Sequence, residues 1–435
     1  MNSSPSISVY KVFPFMSITS SFISINKRYL TSLVLFALYI FLTFTYYYIF
    51  VQDSRWDVSK SGNFSRIVVP DSILYRQIAE SLVSDRIDPV LLGQVTSQLQ
   101  LSDITEMSFF FLATRNYFGP SFLGYLMSSI RFGDLFINII LVGSTGVIFV
   151  KLLGLLNISS TIPLWVLFLN PETIYYSQGF LKEIPCLFLT AMFVYFLLIR
   201  KYLRCLLPIT LVLLVRYQIA VIFLMILCLE IVPLRYRYKC LQYPLFVFFA
   251  LLPLLYKTLL NRAVVGYYLY REESGPGTGI GAAIAYLQFN FPFFGYIGVP
   301  IRFFQTMIEP FPAMVLFSDG EGVINLYYCI LSASMIMMSP FYSLFFNQLF
   351  NIVIRGRREI FSYDISKIIL TIAMYLLTVG VNTFISHRFI YPIVPLMAFV
   401  IFVEERGKKL LAHIIILMAA ISIYALNMLG YLLSG

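Results

Sequence analysis

Seven polar residues stand against the ends of long apolar runs: Asp71, Lys182, Glu183, Arg216, Arg302, His387 and Arg388. Their types suit the chemistry of a phosphate leaving group. Arginine offers a planar fork of donors that matches phosphate oxygens, so Arg216, Arg302 and Arg388 are candidate phosphate binders, with Lys182 as a further cation. Neutral histidine can relay a proton, and a carboxylate can remove one from a hydroxyl, so His387 and Asp71 are the candidate catalytic groups. Asp71 lies in PDSILYRQIAESL, where Asp71, Tyr75 and Ala79 share one helix face. Tyr75 is thereby an acceptor-side candidate, and Glu183 one that orients a partner. Plainer roles compete: Asp71 as a helix cap, Lys182 and Glu183 as a snorkelling pair, Arg302 as an interfacial anchor, His387 as a solvated rim residue. Asp53 and Asp57 are the fallback acids. His413, the second of two histidines, sits inside an apolar run, so no metal site is expected around His387.

The elements that must position these groups are membrane spans. Of 435 residues, 59 % are hydrophobic and 12 % charged, against about 25 % charged in ordinary domains. The 42 Phe and 31 Tyr suit a lipid-facing surface. The expected fold is an all-α polytopic membrane protein of about 11 transmembrane helices. The spans fall near 29–51, 134–150, 160–176, 184–199, 241–260, 323–349, 367–385, 389–403 and 411–433, with two more between Arg204 and Lys239. Basic clusters flank both ends of that last stretch. A single crossing cannot return to its own side, so it reads as two short spans hinged at Arg216.

Lys27 and Arg28 precede the first span and put the N-terminus in the cytoplasm. Residues 1–28 are then a cytoplasmic tail, and 29–433 one membrane-embedded catalytic domain. Two outer-face segments, 52–131 and 261–320, carry amphipathic helices. From Asp53 to Glu106 there are eight acids and five bases, a balance that suits the outer side. This topology gathers the seven polar residues at the outer boundary. The expected location is a bacterial inner (plasma) membrane, with the active site on the periplasmic or outer face.

The net charge of +10 reflects bases dispersed between spans, which argues against nucleic-acid binding. The five cysteines form no CxxC pair and read as small apolar fillers. There is no Walker sequence, no dinucleotide fingerprint and no zinc spacing; GPGTGIG is a loop without the lysine of a phosphate-binding loop.

These stretches resemble the GT-C class of membrane glycosyltransferases, such as the protein O-mannosyltransferases and aminoarabinose transferases. The resemblance rests on Asp71, Tyr75 and Ala79 in the first outer loop, Lys182 and Glu183 after NPETIYYSQGF, Arg216 between two short spans, and the late HRFIYPIVPLM. It implies a polyprenyl-phosphate or polyprenyl-pyrophosphate sugar as donor and gives Asp71 the role of base. Ser72 stands where that class has a second acid, and no large soluble C-terminal domain is present. RFFQTMIEPFP followed by a long span is also similar to bacterial O-antigen and capsule polymerases, in which the arginines and His387 would hold a pyrophosphate.

Both resemblances imply glycosyl transfer to a glycan or lipid-linked acceptor, in the synthesis of cell-surface polysaccharide or lipopolysaccharide. The acceptor hydroxyl attacks the anomeric carbon and the arginines stabilise the departing phosphate. A lipid-linked donor carries its own activation, which accounts for the lack of a nucleotide motif. No cofactor is demanded, although a divalent metal (Mg or Mn) could bridge Asp71 and the phosphate. A flippase for lipid-linked sugars would show an internal two-fold repeat, which the sequence does not display. A structural subunit of an export complex would leave the outer charges without a common focus.

Overall fold

The structure is a computed structural model that describes residues 14–48, 133–179, 181–231, 333–338, 340–342, 345, 364–381 and 390–399. Among the described residues the chain is helical and contains no strand. The helices are α1 (Pro14–Tyr46), α2 (Gly133–Leu155), α3 (Ile162–Leu169), α4 (Pro171–Tyr176), α5 (Glu183–Leu198), α6 (Tyr202–Val215), α7 (Tyr217–Ile231) and α8 (Asp364–Val381). A 3-10 turn (Tyr391–Ile393) then leads into α9 (Val394–Met397). Among the described residues two stretches are long and apolar enough to cross a membrane, Lys27–Tyr46 in α1 and Leu135–Leu155 in α2. The helices at Glu183–Leu198, Tyr202–Val215, Gln218–Glu230 and Lys367–Leu376 are apolar but shorter.

Local chemistry explains where the helices stop. After α2, Asn157 takes a φ of 53°, and after α5, Arg200 takes 56°. At each stop the chain closes the same pair of bonds. Ile158 N–H reaches Leu153 C=O at 2.9 Å and Asn157 N–H reaches Gly154 C=O at 3.2 Å; Lys201 N–H reaches Phe196 C=O at 3.0 Å and Arg200 N–H reaches Leu197 C=O at 3.2 Å. Both are Schellman terminations, which satisfy carbonyls that a helix end would otherwise leave open. Inside the helices, hydroxyls are satisfied by the preceding turn: Thr145 donates to Leu141 C=O, Thr190 to Cys186 C=O and Thr371 to Lys367 C=O. This is how an apolar helix carries a hydroxyl without needing water.

The stretch between Arg204 and Lys239 divides as expected. α6 ends at Val215, Arg216 is extended at φ −156° and ψ 90°, and α7 begins at Tyr217. The two halves form a hairpin. At the open end, Lys367 of α8 pairs with Glu230 near the end of α7 and lies within electrostatic reach of Cys205 near the start of α6. α5 lies against the hairpin, with Phe193 stacked on Phe223 at 4.1 Å between ring centroids.

Part of the expected tail and the first span share one helix: α1 starts at Pro14, since SITSSFISINKR contains no helix breaker, and its membrane-length stretch begins at Lys27. One boundary differs from the sequence reading. The segment read as one span at 160–176 is two helices. Asn170, with ψ 122°, interrupts it, and its side chain accepts from Glu172 N–H at 2.9 Å to start α4. Pro171 explains the break, since a residue before proline is pushed out of the helical region.

Helix directions sort the charges. Arg28 near the start of α1 approaches Gly154 near the end of α2. Lys151 sits over the Tyr195 ring at 5.6 Å, so α2 and α5 run the same way. Lys27, Arg28, Lys151, Arg200, Lys201, Arg204 and Lys367 thus gather at one end of the bundle, hereafter the basic end. Lys182 and Arg216 lie at the other, the hinge end, with Glu172 and Glu183. Between them is a core built from every helix, including Leu152, Phe168, Leu187, Phe223, Ile372 and Leu396. Large apolar side chains also face outward, among them Leu33, Phe41, Leu203, Leu207, Leu213 and Val221. Apolar faces of this extent on a monomer mark contact with something other than water.

Candidate functional site

The hinge end is built around NPETIYYSQGFLKE, residues 170–183, a run of polar side chains in an apolar chain. Nearly all of it is buried, including Glu172, Thr173, Ser177 and Glu183 with no exposed surface. Burying so many polar groups is tolerable only if they are hydrogen-bonded, and neighbouring elements supply the bonds. From α1, the Tyr39 hydroxyl meets Ser177 Oγ at 2.6 Å and Thr43 C=O accepts from Gln178 Nε2 at 3.2 Å. From α2, Asn138 Nδ2 donates to Ser177 C=O at 3.1 Å and Gly179 C=O at 2.8 Å. From the late 3-10 turn, Tyr391 donates to Thr173 Oγ1 at 2.8 Å, and its ring meets Tyr176 edge-on at 4.9 Å. Segments more than 200 residues apart in sequence are tied together here.

This anchored segment delivers Lys182 and Glu183 to the start of α5. Lys182 is half-buried and occupies the N-cap without a side-chain cap bond. Glu183 opens the first turn, where a carboxylate is favoured by the helix dipole. Its Oε1 accepts from Arg216 Nη2 at 3.2 Å. Arg216 is 11 % exposed at its side chain and Glu183 is fully buried. The hinge is what aims the guanidinium: the residue lies between two helices and follows the course of neither. Tyr375, on α8, lies beside the same guanidinium with its hydroxyl buried.

Among the described residues, Lys182 and Arg216 offset Glu172 and Glu183 in formal charge at this end. The start of α5 brings the positive end of its dipole to the pair, whereas at the hinge the end of α6 and the start of α7 meet and their opposite partial charges largely cancel.

Of the residues the sequence nominated, the structure brings together Glu183 and Arg216 and sets Lys182 next to them. Asp71, Tyr75, Arg302, His387 and Arg388 lie outside the described residues, as do the outer segments 52–131 and 261–320 and the spans near 241–260 and 411–433. Sequence reasoning did not single out Asn138, Glu172, Tyr375 or Tyr391. For Glu172 the signal was present, as an acid two residues after the Asn-Pro break. The described residues thus define a helical bundle with two helices long and apolar enough to cross a membrane and a buried polar junction at one end. No protein family matches the chain, and neither a curated protein nor a solved structure shows significant similarity to it.

Proposed function

We propose that the chain is a membrane glycosyltransferase that moves a sugar from a polyprenyl-(pyro)phosphate donor to a glycan or lipid-linked acceptor. The observation that carries this reading is the buried Glu183–Arg216 pair, seated where the start of α5 meets the hinge between α6 and α7. A guanidinium has five N–H donors. The bond to Glu183 holds the fork in one orientation, so the group is preorganised for negative charge that grows on a leaving phosphate. Segregation of bases to the opposite end supports a bilayer orientation with that end in the cytoplasm. The hinge end then faces the periplasmic or outer side of a bacterial inner membrane, in a fold of about 11 spans resembling the GT-C class.

In this mechanism the acceptor hydroxyl oxygen bonds to the anomeric carbon as the carbon–oxygen bond to phosphate breaks. The hydroxyl proton passes to Asp71 or His387, and the released lipid phosphate keeps the bonding pair. Arg216, with Arg302 and Arg388, stabilises that charge; Glu183 holds Arg216 in place.

Reconstitution into liposomes tests the proposal. Supplied with a lipid-linked sugar or repeat unit and an acceptor, the protein should yield a new glycosidic bond, as one addition or as a ladder of products. Arg216→Ala should abolish it. Movement of the donor between leaflets without any new bond would replace the transferase by a flippase.

A further inference from the structure

Arg28 is the odd charge of the basic end. Its fellow bases Lys27, Lys151, Arg200 and Lys201 are exposed, whereas Arg28 keeps only 9 % of its surface. Its Nε is enclosed and makes no hydrogen bond. Buried charges elsewhere are paired, Glu183 with Arg216 and Lys367 with Glu230. Arg28 has no ion pair among the described residues, and the helices around it carry no acid to offer: there is none from Met1 to Gln52, nor from Leu135 to Leu169. The last turn of α2 lies against the guanidinium, with Nη1 3.9 Å from where a Cβ on Gly154 would stand. The negative end of the α2 dipole favours a cation there, but it carries only about half a charge. The carbonyls of Leu152, Leu153 and Gly154 already accept bonds from the turn that follows. A charge withdrawn this far from water is costly unless an anion meets it.

We infer that Arg28 binds the phosphate of a bilayer phospholipid with a net negative head group, at the membrane surface of the basic end. The guanidinium fork matches two phosphate oxygens. Ser32, one turn on along the same face of α1 and also buried, adds a hydroxyl. Lys27 and Lys151, both exposed, add positive charge around the entrance. Gly154 is exposed and has no side chain to cover the fork. The apolar half of the ligand is provided for as well: Leu30, Leu33 and Val34 on the same turns of α1, and Leu155 beside Gly154, are exposed. A free phosphate would use the fork but none of this apolar surface, so a lipid is the better fit. The site lies at the opposite end of the bundle from Arg216 and does not depend on the transferase reading.

The test uses the full chain in detergent and measures binding of a fluorescent phosphatidylglycerol, with the matching phosphatidylcholine and diacylglycerol as controls. The wild type should bind phosphatidylglycerol at least about tenfold more tightly than diacylglycerol, which has the tails without the phosphate, and phosphatidylcholine should fall between them. Millimolar inorganic phosphate should not displace the lipid; displacement would make the free anion the ligand and overturn the lipid. Arg28→Gln should weaken phosphatidylglycerol binding about tenfold, the scale of one hydrogen bond to a charged group. Lys201→Gln removes the same charge from an exposed position at the same end and should change binding by less than about twofold. Equal losses in the two variants would mean that only surface charge counts, and the site would fall. Gly154→Leu keeps every charge and covers the fork, so it should weaken binding by a factor similar to Arg28→Gln without lowering stability. Phosphatidylglycerol should also raise the melting temperature of the wild type and not that of Arg28→Gln. If Arg28 serves only the α2 dipole, Arg28→Gln will melt lower yet bind the lipid as the wild type does, and the inference fails.

Discussion

Each end of the bundle buries an ion pair between helices, and the two pairs are built differently. At the hinge end Arg216 meets Glu183 at 3.2 Å, in a stretch of irregular backbone between two helices. At the basic end Lys367 meets two acids, Glu230 at 3.6 Å and Asp364 at 3.5 Å, on regular helices. The basic end uses a flexible ammonium, and two acids balance it in a region otherwise rich in bases. The hinge end uses a rigid fork set on extended backbone, facing a carboxylate in the first turn of α5. Under the proposed transferase function, the contrast separates a charge that packs helices from one that also meets the substrate.

The largest effect should come from truncating each cation. Arg216→Leu and Lys367→Met each leave acid behind in a buried place, and each should destabilise the protein by about 3–5 kcal/mol, measured by unfolding in detergent. They should part in function. Protein carrying Lys367→Met that remains folded should retain glycosyl transfer, whereas Arg216→Leu should lose it entirely. Equal loss of activity per unit of stability lost would erase the distinction between the ends.

Conservative exchange sharpens the point with a smaller effect. Lys and Arg differ in geometry more than in charge. Arg216→Lys keeps the cation but loses the fork, so transfer should fall at least about tenfold while stability falls by only about 1 kcal/mol. Lys367→Arg should change activity by less than about twofold, because a point charge shared between two acids demands no fork. Steady-state rates at saturating donor, beside melting curves for the same preparations, read both quantities.

These pairs were unevenly visible in the sequence. The hinge at Arg216 could be placed because bases at both ends of an apolar stretch forbid a single crossing. Lys182, Glu183 and Arg216 could each be nominated as charges at span ends. That Glu183 is the partner of Arg216 could not be read, since the α5–α6–α7 arrangement that joins them is tertiary. The break at Asn170 was legible in the Asn-Pro-Glu order and was hidden by the apolar residues around it. Tyr375 was invisible, because one tyrosine among 31 in an aromatic-rich chain carries no signal until the fold sets it beside the Arg216 guanidinium. Composition and charge spacing report where helices end. They do not report which ends meet.

The smallest effect concerns the turns of the basic end, where two helices stop in the same way with different residues. Asn157 and Arg200 both take left-handed backbone, at φ 53° and 56°. Asparagine tolerates that region; a long side chain with a Cβ meets a penalty of roughly 1 kcal/mol or more. Glycine escapes the penalty but loses part of the gain through the entropy of the unfolded chain. Arg200→Gly should therefore stabilise the protein by about 0.5 kcal/mol, while Asn157→Gly should be neutral or slightly destabilising. Arg200 is exposed, so no packing is lost with it. If Arg200→Gly proves stabilising, an arginine has been kept where the backbone disfavours it, and the charge itself is the reason to keep it. That is what a bilayer selecting for bases on one face would do. In the same preparation transfer should be unaltered, because the turn lies at the far end of α5 from Glu183 and Arg216.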